Sequence, residues 1–388
     1  MDFHLDRLLN FPNVTIEKCI SSDDTIELTL RNLNESIVCP HCGEEIDEIH
    51  QERPISVRDL SVFGKLTQLN LKRRQFYCQD CQRYSTEEID YIDFDRHTTI
   101  RYQEYIYERV KVSRVSQVAK EEKSTYDRIQ SIFREVHQRR GENKPKPKRI
   151  SIDEFSHRKG RGIFATVVSD IDSGMLLEVI DSHQQKEIIE ALLKWPLELR
   201  EGVDEVSVDM WGGFAKVIKE VFPKAKIIFD RFHVMKKVIE ELKQIMKECQ
   251  KRVGKLKIRN WRYLLLKNGE NLTEEEKELL ERILQCSKRL REAYQLKEEF
   301  RQIYEKDQTV EVAKAEFEKW MEKAAQFYGN AIKMIKNHID GICNYFISRT
   351  TSGVMEGINN KIKLIKRQAY GFTNFENLST RLLAAFSY

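Results

Sequence analysis

Acidic residues that are far apart in the chain have the type and setting of divalent-cation ligands. Asp153 lies within the apolar run RISIDEF (149–155), and Asp209 ends the run EVSVD (205–209). Mg²⁺ prefers carboxylate oxygens held on rigid elements. Two such ions, about 4 Å apart, can activate an attacking oxygen and stabilise a leaving oxygen at a phosphodiester. A single buried run that ends in Asp marks a turn or a helix cap as often as it marks a metal ligand. The presence of two such runs in one domain is what favours a metal site.

Glu356 is a third candidate, and helical spacing supports it independently. At about 100° per residue, one face of a predicted helix carries Glu356, Asn360, Lys363 and Arg367. The opposite face carries Val354, Ile358, Ile362, Ile365 and Ala369. A charged stripe of this kind is usually solvated surface. It would equally serve a metal-bound phosphodiester, with the acid on the ion and the cations on DNA phosphates.

Asp230 and His233, in the run DRFH, follow another apolar run and compete with Asp209 for a place in the site. The alternative is that Asp230 caps a helix and His233 lies in the core. Three other aspartates fall at predicted turns and are expected to be solvated: Asp170, Asp172 and Asp181.

Two CxxC pairs predict a zinc site. Cys39 and Cys42 form one pair and Cys78 and Cys81 the other. Two such knuckles can complete a closed tetrahedral shell of four thiolates, which makes the zinc structural rather than catalytic. His41 and His50 are possible substitutes for one ligand. The remaining cysteines have no partner at ligand spacing and are expected to be small buried apolar residues: Cys19, Cys249, Cys286 and Cys343.

A pair of short helices is predicted around residues 112–135. The first covers Val115 to Lys120, and Ser124 or Thr125 caps the second. Apolar residues fall where a helix-turn-helix needs its core: Val118, Ala119, Ile129, Ile132 and Phe133. In that motif the first turn of the second helix enters the major groove, where the readers would be Ser124, Thr125, Tyr126 and Arg128. Any two amphipathic helices resemble this motif, but Lys and Arg exceed Asp and Glu by fifteen to seven between Arg96 and Arg149.

Changes in sequence pattern and composition divide the chain into successive parts. Residues 1–95 carry short alternating strands and the CxxC pairs, and residues 96–137 carry the helical pair. Residues 138–149 are basic and contain two prolines, which is typical of a linker. Residues 150–388 begin as three strands in an antiparallel meander and continue as alternating helices and strands, which predicts a mixed α/β sheet. Helical spacing over 234–345 predicts an all-helical insertion before Glu356.

Composition excludes some classes of protein. The chain has 388 residues, 33% of them charged, and lacks any apolar run of about 18 residues, so no spanning helix is expected. The first residues lack the pattern of a secretion signal. We therefore expect a cytoplasmic protein, in which clustered cysteines bind metal rather than form disulfides.

The order of these motifs resembles transposases of the ISL-three insertion-sequence family. The matching stretches are CPHCG with CQDCQRYS, SIDEFSHRKG, VSVDMWGGF, DRFHV and SGVMEGINNKIKLIKRQAYGF, and the resemblance covers nearly the whole length. It implies a ribonuclease-H-like DDE catalytic domain in which Asp153, Asp209 and Glu356 hold two Mg²⁺ or Mn²⁺ ions. It also implies that the substrate is the element's own terminal inverted repeats, and that the protein is bacterial and nucleoid-associated.

The predicted activity is therefore cleavage of DNA at the element's ends and transfer of the 3′ ends to target DNA. The expected partners are the element ends, target DNA and further copies of the chain, as a homodimer or larger assembly. One alternative is a catalytically inactive, sequence-specific DNA-binding regulator derived from a transposase. A metal-dependent nuclease that only hydrolyses is another, and the sequence does not separate it from a transposase.

Overall fold

The protein consists of two compact units, Met1–Asn143 and Lys144–Tyr388. The computed structural model describes residues 3–141, 146–158, 163–210, 212–253, 261–351 and 353–387. Within these ranges, no helix combines the length and the apolar character that crossing a membrane requires.

The first unit is built on a β-sheet. A short helix, α1 (Phe3–Leu9), precedes the strands. The strands are β1 (Val14–Ser21), β2 (Thr25–Asn32), β3 (Ile37–Val38), β4 (Glu45–Ile46), β5 (Ile49–Val62), β6 (Lys65–Cys78), β7 (Arg83–Thr86), β8 (Ile92–Asp93) and β9 (Thr98–Thr99). The main sheet has the order β1-β2-β6-β5-β9-β8, with β7 paired to β6, while β3 and β4 pair separately. In β6, Thr67, Leu69 and Leu71 are buried, which follows the two-residue period of a strand with one covered face.

A long hairpin dominates this sheet. β5 and β6 pair in antiparallel fashion up to Val62 and Lys65, so the turn consists of Phe63 and Gly64 alone. Both residues have positive φ angles, 53° and 78°. Two-residue turns of this type match the right-handed twist of the strands that they join.

Three helices complete the first unit: α2 (Ile100–Val112), α3 (Val115–Glu121) and α4 (Tyr126–Arg140). The Thr125 side chain caps α4 by accepting a hydrogen bond from the Arg128 N–H at 3.3 Å. The five predicted core residues of α3 and α4 are all buried. The predicted helical pair is therefore confirmed, with Thr125 rather than Ser124 as the cap. α4 continues to Arg140, inside the predicted linker of 138–149, and residues 142–145 of that linker lie outside the described residues.

The second unit contains the mixed sheet. Its strands are β10 (Arg149–Arg158), β11 (Ile163–Asp170), β12 (Leu176–Ile180), β13 (Glu205–Val208) and β14 (Lys226–Phe229). Their order is β12-β11-β10-β13-β14. β10, β11 and β12 are antiparallel, whereas β10, β13 and β14 run parallel. The predicted meander and mixed sheet are confirmed.

Helices connect and follow these strands. Between β12 and β14 lie α5 (Gln185–Leu192), α6 (Leu197–Glu201) and α7 (Gly212–Val221). A helical block follows, made of α8 (Arg231–Val253), α9 (Trp261–Leu266), α10 (Glu274–Gln285), α11 (Lys288–Glu305), α12 (Val310–Ala324), α13 (Gly329–Cys343) and α14 (Tyr345–Ser348), with a 3₁₀ turn at Gly269–Asn271. The chain ends with α15 (Gly353–Gln368) and α16 (Phe375–Ala385). The described elements of the insertion predicted at 234–345 are all helices, joined by short connections, and residues 254–260 lie outside the described residues.

The two faces of the mixed sheet have separate cores. Ile150, Ile152 and Val206 belong to the core that includes α5, α7 and the helical block. Ala165 and Val167 pack on the other face, with Ile358 of α15 and Leu378 of α16. Alternate residues of a strand point to opposite faces. The helix that carries Glu356 thus covers one face of the strand that carries Asp153.

The helical block packs tightly on the edge strand β14. A Cβ atom on Gly341 of α13 would lie 2.6 Å from ring atoms of Phe229, so glycine permits this approach. The Asn344 side chain donates to the backbone oxygen of Ile227 at 2.8 Å. The helical block therefore covers the edge strand β14, which is not open to pairing with another chain.

Three sequence predictions about burial were wrong. Cys19 and Cys286 are exposed, although Cys249 and Cys343 are buried as expected. Asp170 is buried rather than solvated. Its carboxylate accepts hydrogen bonds from the Ser173 hydroxyl at 2.6 Å and from two backbone N–H groups, so it organises the turn after β11.

Candidate active site and zinc site

The four CxxC cysteines converge on one point. Their sulfur atoms lie within 4.8 Å of one another, and they form the one such group of three or more possible metal ligands found among the described residues. The Cys39 and Cys81 sulfurs are 3.7 Å apart, and those of Cys42 and Cys78 are 3.5 Å apart. Sulfur atoms at about 2.3 Å from a tetrahedral zinc ion would be about 3.8 Å apart. The cluster therefore has the dimensions of a structural zinc site.

Local contacts favour the thiolate form of Cys39, and the two histidines lie outside the cluster. The backbone N–H groups of His41 and Cys42 donate to the Cys39 sulfur and lower the pKa of that thiol to about 6. The His41 ring lies 3.5 Å from the guanidinium of Arg83, and the His50 ring packs on Tyr84 at 4.5 Å. Neither ring belongs to the sulfur cluster. A shell of four thiolates leaves no open position for a substrate.

Asp153 and Asp209 lie side by side on neighbouring strands. β10 and β13 are parallel, and Ile152 pairs with Val208. Each aspartate is the next residue in its own strand direction, and neighbouring strands are about 4.8 Å apart. Burial is the largest cause of the raised pKa of Asp153, and repulsion from the Asp209 carboxylate adds to it. The carboxyl edge of parallel strands, where ligands usually bind, thus carries both acids.

Both oxygens of Asp153 are held in place. Oδ1 accepts from the Glu154 N–H at 2.7 Å, and Oδ2 accepts from the Asn359 side-chain amide at 2.7 Å. Burial raises the pKa of Asp153, whereas these two donors act in the opposite direction. Asn359 lies on α15, one helical turn after Glu356. The amide therefore connects the helix of the third acid to the first acid.

Asp209 is held by a histidine that it shares with Asp230. The Nδ1 atom of His233 lies 3.5 Å from Asp209 Oδ1 and 3.3 Å from Asp230 Oδ2. The bond to Asp230 is the main cause of a raised pKa for His233, and the charges of Asp209 and Asp153 add to it. Asp230 is buried and also accepts from the Phe232 N–H at 3.1 Å at the start of α8. Asp230 and His233 thus contribute to the surroundings of Asp209.

Glu356 lies on the exposed side of α15. The helix buries Met355, Ile358, Ile362 and Ile365. Glu356, Asn360, Lys363 and Arg367 are all exposed, as the spacing predicted. Residues three apart on a helix have Cβ atoms about 5–6 Å apart, so Glu356 lies next to the amide that binds Asp153. Among the described residues the carboxylates do not form a group with ligand atoms within 4.8 Å.

Sequence reasoning missed Asn359, Glu154 and His183. Asn359 lies three residues after Glu356 and Asn360 four, so spacing alone allowed either to face the sheet. Glu154 points to the opposite face of β10 from Asp153, and burial raises its pKa while the nearby His183 opposes the rise. The sequence feature that could have identified Glu154 is its position directly after Asp153.

The predicted DNA-reading residues at the first turn of α4 differ in how far their side chains are exposed to solvent. Thr125, Tyr126 and Arg128 are exposed, and Ser124 is half-buried. One guanidinium nitrogen of Arg128 donates to the backbone oxygen of Arg96 at 2.9 Å. Tyr126 therefore has the freest side chain of this set, with 48% of its surface exposed.

Two family models match the chain. A model described as a transposase, the ISL3 type of DDE transposase, matches residues 150–382, which is more than half of the chain. A second, described as the zinc-finger of the IS204/IS1001/IS1096/IS1165 transposases, matches residues 35–81 and so spans both CxxC pairs. The two matches coincide with the two places where candidate metal ligands gather.

Curated relatives agree with these matches. The chain is 26% identical to the transposase for insertion sequence element IS1001 of Bordetella parapertussis, over 93% of this chain and 92% of that protein. It is 28% identical to the transposase for insertion sequence element IS1557 from two Mycobacterium tuberculosis strains, over 58% of this chain and 57% of those proteins. The chain belongs to the ISL3 family of DDE transposases.

Proposed function

We propose that this transposase binds the terminal inverted repeats of its insertion sequence, cleaves phosphodiester bonds there and transfers the 3′ ends to target DNA by two-metal-ion catalysis. The observation that carries the proposal is the position of Asp153 and Asp209, each directly after the last pair of two parallel strands, Ile152 and Val208, with Asp153 bound by Asn359 of the helix that carries Glu356. Since two element ends must be joined to one target, we expect a homodimer or larger assembly on the bacterial chromosome.

The order of the strands supports a ribonuclease-H-like core. Three antiparallel strands are followed by two that run parallel to the first, and the first strand lies at the centre. Asp153 lies on that central strand and Asp209 at the end of its parallel neighbour. Helix α15 returns to the same face after the helical block. In the proposal this arrangement brings Glu356 towards Asp209, although 146 residues separate them in the sequence.

The residues present suit a hard divalent cation. Asp153 and Asp209 offer carboxylate oxygens, and Asn359 Oδ1 is buried without a hydrogen-bond partner among the described residues. A buried polar atom with no partner beside two carboxylates is unfavourable unless a cation or a bound water satisfies it. We propose that Asp153, Asp209 and Glu356 hold two Mg²⁺ or Mn²⁺ ions. When bound, the ions supply activation of the attacking oxygen and stabilisation of the leaving oxygen.

The remaining side chains would orient the acids and the DNA. Asn359 donates a hydrogen bond to one oxygen of Asp153. His233 lies against Asp209, and the Asp230 carboxylate favours the protonated, positively charged form of His233. Asn360, Lys363 and Arg367 are exposed on the same side of α15 as Glu356. In the proposal they contact the phosphates of the bound strand, where cations give affinity without reading sequence.

Recognition of the ends is assigned to α4. Thr125, Tyr126 and Arg128 are exposed on its first turn, with Ser124 beside them. Side chains at this position of a helix-turn-helix reach base edges in the major groove. The zinc cluster would act at a distance, by keeping the strands of the same unit in place.

An assay with labelled element ends, Mg²⁺ and a target plasmid tests the proposal. The purified chain should release 3′ ends and join them to the plasmid. We expect Asp153→Asn to abolish both steps while end binding stays nearly intact. Asp181→Asn is the matched control, since Asp181 is an exposed acid on a turn of the same unit.

Each outcome has a definite meaning. Joined products support the proposal, and cut ends without joining indicate a nuclease. Shifted but uncut DNA would indicate a DNA-binding regulator. Equal loss of cleavage and binding in Asp153→Asn would assign that residue to folding and overturn its catalytic role.

A further inference from the structure

Phe63, at the tip of the β5–β6 hairpin, is in an unfavourable position for a structural role. Its side chain is 94% exposed. Its φ of 53° lies in the left-handed region, where residues with a bulky side chain are rare. Asn, Asp and Gly are the residues that favour this position of a two-residue turn. Phe63 therefore adds strain and exposes an aromatic ring without adding to the core.

Strain at an exposed residue points to a use outside folding. Strained residues persist where the surrounding structure fixes them, and they concentrate at binding sites. Here Val62 and Lys65 pair directly below the turn, and the register between the strands shifts between Asp59 and Val62. The ring of Phe63 thus lies in solvent at the tip of the hairpin.

The hairpin tip lies beside two other turns, and we call residues 21–24, 61–66 and 121–125 the turn end of the first unit. The Leu66 N–H donates to the backbone oxygen of Asp24 at 2.9 Å, which joins the tip to the β1–β2 turn. The Lys65 ammonium donates to the Ser21 hydroxyl at 3.0 Å and also to the backbone oxygen of Ser22. These contacts fix the first two turns to each other.

The third turn is the one between α3 and α4. The guanidinium of Arg58 donates to Ser61 at 3.2 Å and to Glu122 at 3.2 Å. Lys123 forms an ion pair with Asp24 at 3.0 Å. Phe63 is two residues from Ser61, and Thr125 is three residues from Glu122. The hairpin tip and the exposed first turn of α4 therefore lie at the same end of the first unit.

We propose that Phe63 is a DNA wedge: it enters the minor groove next to the major-groove site of α4 and inserts its ring against a base step of the element end. Proteins that contact the minor groove frequently place an apolar side chain between base pairs and so kink the duplex. The inference rests on the proposed binding of element ends by α4. It adds a second contact, which bends the DNA.

The surroundings favour DNA over a protein partner. A protein interface needs a broad apolar face, whereas this tip offers one ring, the partly exposed Val62 and polar neighbours. The turn end carries four acids and two lysines, and three of the acids are paired with cations: Asp24 with Lys123, Glu121 with Arg109 and Glu122 with Arg58. These ion pairs reduce the repulsion that DNA phosphates would meet at the tip. A single exposed ring in such a setting, beside the exposed first turn of α4, suits stacking on a base.

The test is Phe63→Asn in the full chain, because Asn followed by Gly is the preferred sequence for this turn. The fold should keep its melting temperature or gain slightly. Affinity for a duplex of the terminal inverted repeat should fall about tenfold or more, as expected for one lost stacking contact. The bend of the bound duplex, measured by energy transfer between its ends, should decrease. Phe63→Trp should retain both affinity and bend.

Leu33→Asn is the matched control. Leu33 is 52% exposed and directly follows β2, at the opposite end of that strand from Asp24. A fluorescent base analogue placed along the duplex should brighten at one step with the wild type, because the step is unstacked. It should stay dark with Phe63→Asn.

The results separate this inference from the proposed function. If Arg128→Ala weakens end binding but Phe63→Asn changes neither affinity nor bend, the wedge is refuted and the role of α4 stands. If the wild-type chain does not bind the ends, the proposed function fails first. Equal weakening by Leu33→Asn would overturn the wedge, as would a change of oligomeric state in Phe63→Asn without a change in DNA affinity.

Discussion

The zinc cluster and the carboxylate site gather their ligands in different ways. The four cysteine sulfurs lie within 4.8 Å of one another, on two knuckles of the first unit. The three acids come from two strands and a helix of the second unit, and their oxygens do not converge to that degree among the described residues. The cysteine sulfurs form a complete set of four ligands, whereas the acids leave room between them for other ligands.

The difference matches what each site has to do. A structural zinc ion needs every coordination position filled by the protein. A catalytic pair of ions needs positions left for the phosphodiester, and mutual repulsion of carboxylates opposes closer approach before the ions bind. The second unit therefore uses neutral or positive side chains, Asn359 and His233, to hold each aspartate. Three substitutions would break or sharpen this contrast.

The largest effect is expected for Cys78→Ser. Cys78 is fully buried, and a structural zinc site supplies about 10 kcal/mol or more of binding free energy that is coupled to folding. We expect zinc content to fall from one ion per chain to none, and the thermal transition of the first unit to disappear. Calorimetry with metal analysis would check both. Cys19→Ser, at an exposed cysteine outside the knuckles, should change neither.

Glu356→Gln should have a smaller effect on the fold and a large one on catalysis. Because Glu356 is exposed, the free energy of unfolding should change by no more than about 0.5 kcal/mol. Strand cleavage should fall by about a thousandfold, since a charge that acts on the reacting centre is lost. Glu187→Gln, at an exposed acid of α5, is the control for cleavage rates. A loss of stability equal to that of Cys78→Ser would remove the distinction between the two sites.

The smallest of the three effects is expected for Asn359→Ala. The variant removes the donor to Asp153 Oδ2, and losing a group that orients a metal ligand typically weakens metal affinity about 10- to 100-fold. Mn²⁺ titration by calorimetry would measure the change directly, without reference to activity. Leu364→Ala, on the same helix and half exposed, should leave the affinity unchanged. Unaltered Mn²⁺ affinity in Asn359→Ala would mean that Asp153 needs no such support.

Regular patterns made much of this protein predictable. The compact β-branched runs at 149–155, 163–170 and 175–181 identified the first three strands of the mixed sheet, and CxxC spacing identified the sulfur cluster. These features depend on local sequence, which is why they could be inferred from one chain. The register that sets Ile152 opposite Val208, and so Asp153 near Asp209, joins distant segments and was not predicted.

Features that depend on long-range contacts could not be inferred. Spacing placed Asn359 and Asn360 on either side of Glu356, and only the rotation of α15 on the sheet decides that Asn359 meets Asp153. Cys19 and Cys286 were expected in the core because free cysteines usually lie there, but the packing of their elements leaves them exposed. The strained turn at Phe63 gave no signal, because the run VFGKL has no residue before Gly64 that favours it.

The two ends of the helical block meet. The guanidinium of Arg231, the first residue of α8, donates to the Tyr345 hydroxyl of α14 at 3.2 Å, and Glu205 of β13 accepts from Ser348 and Thr350 just beyond. Because this excursion departs and returns at one point, helices of the block that do not touch the sheet can change in length at less cost than α13, which packs on β14. Related elements can therefore vary the outer part of the block while the strands that carry the acids keep their places.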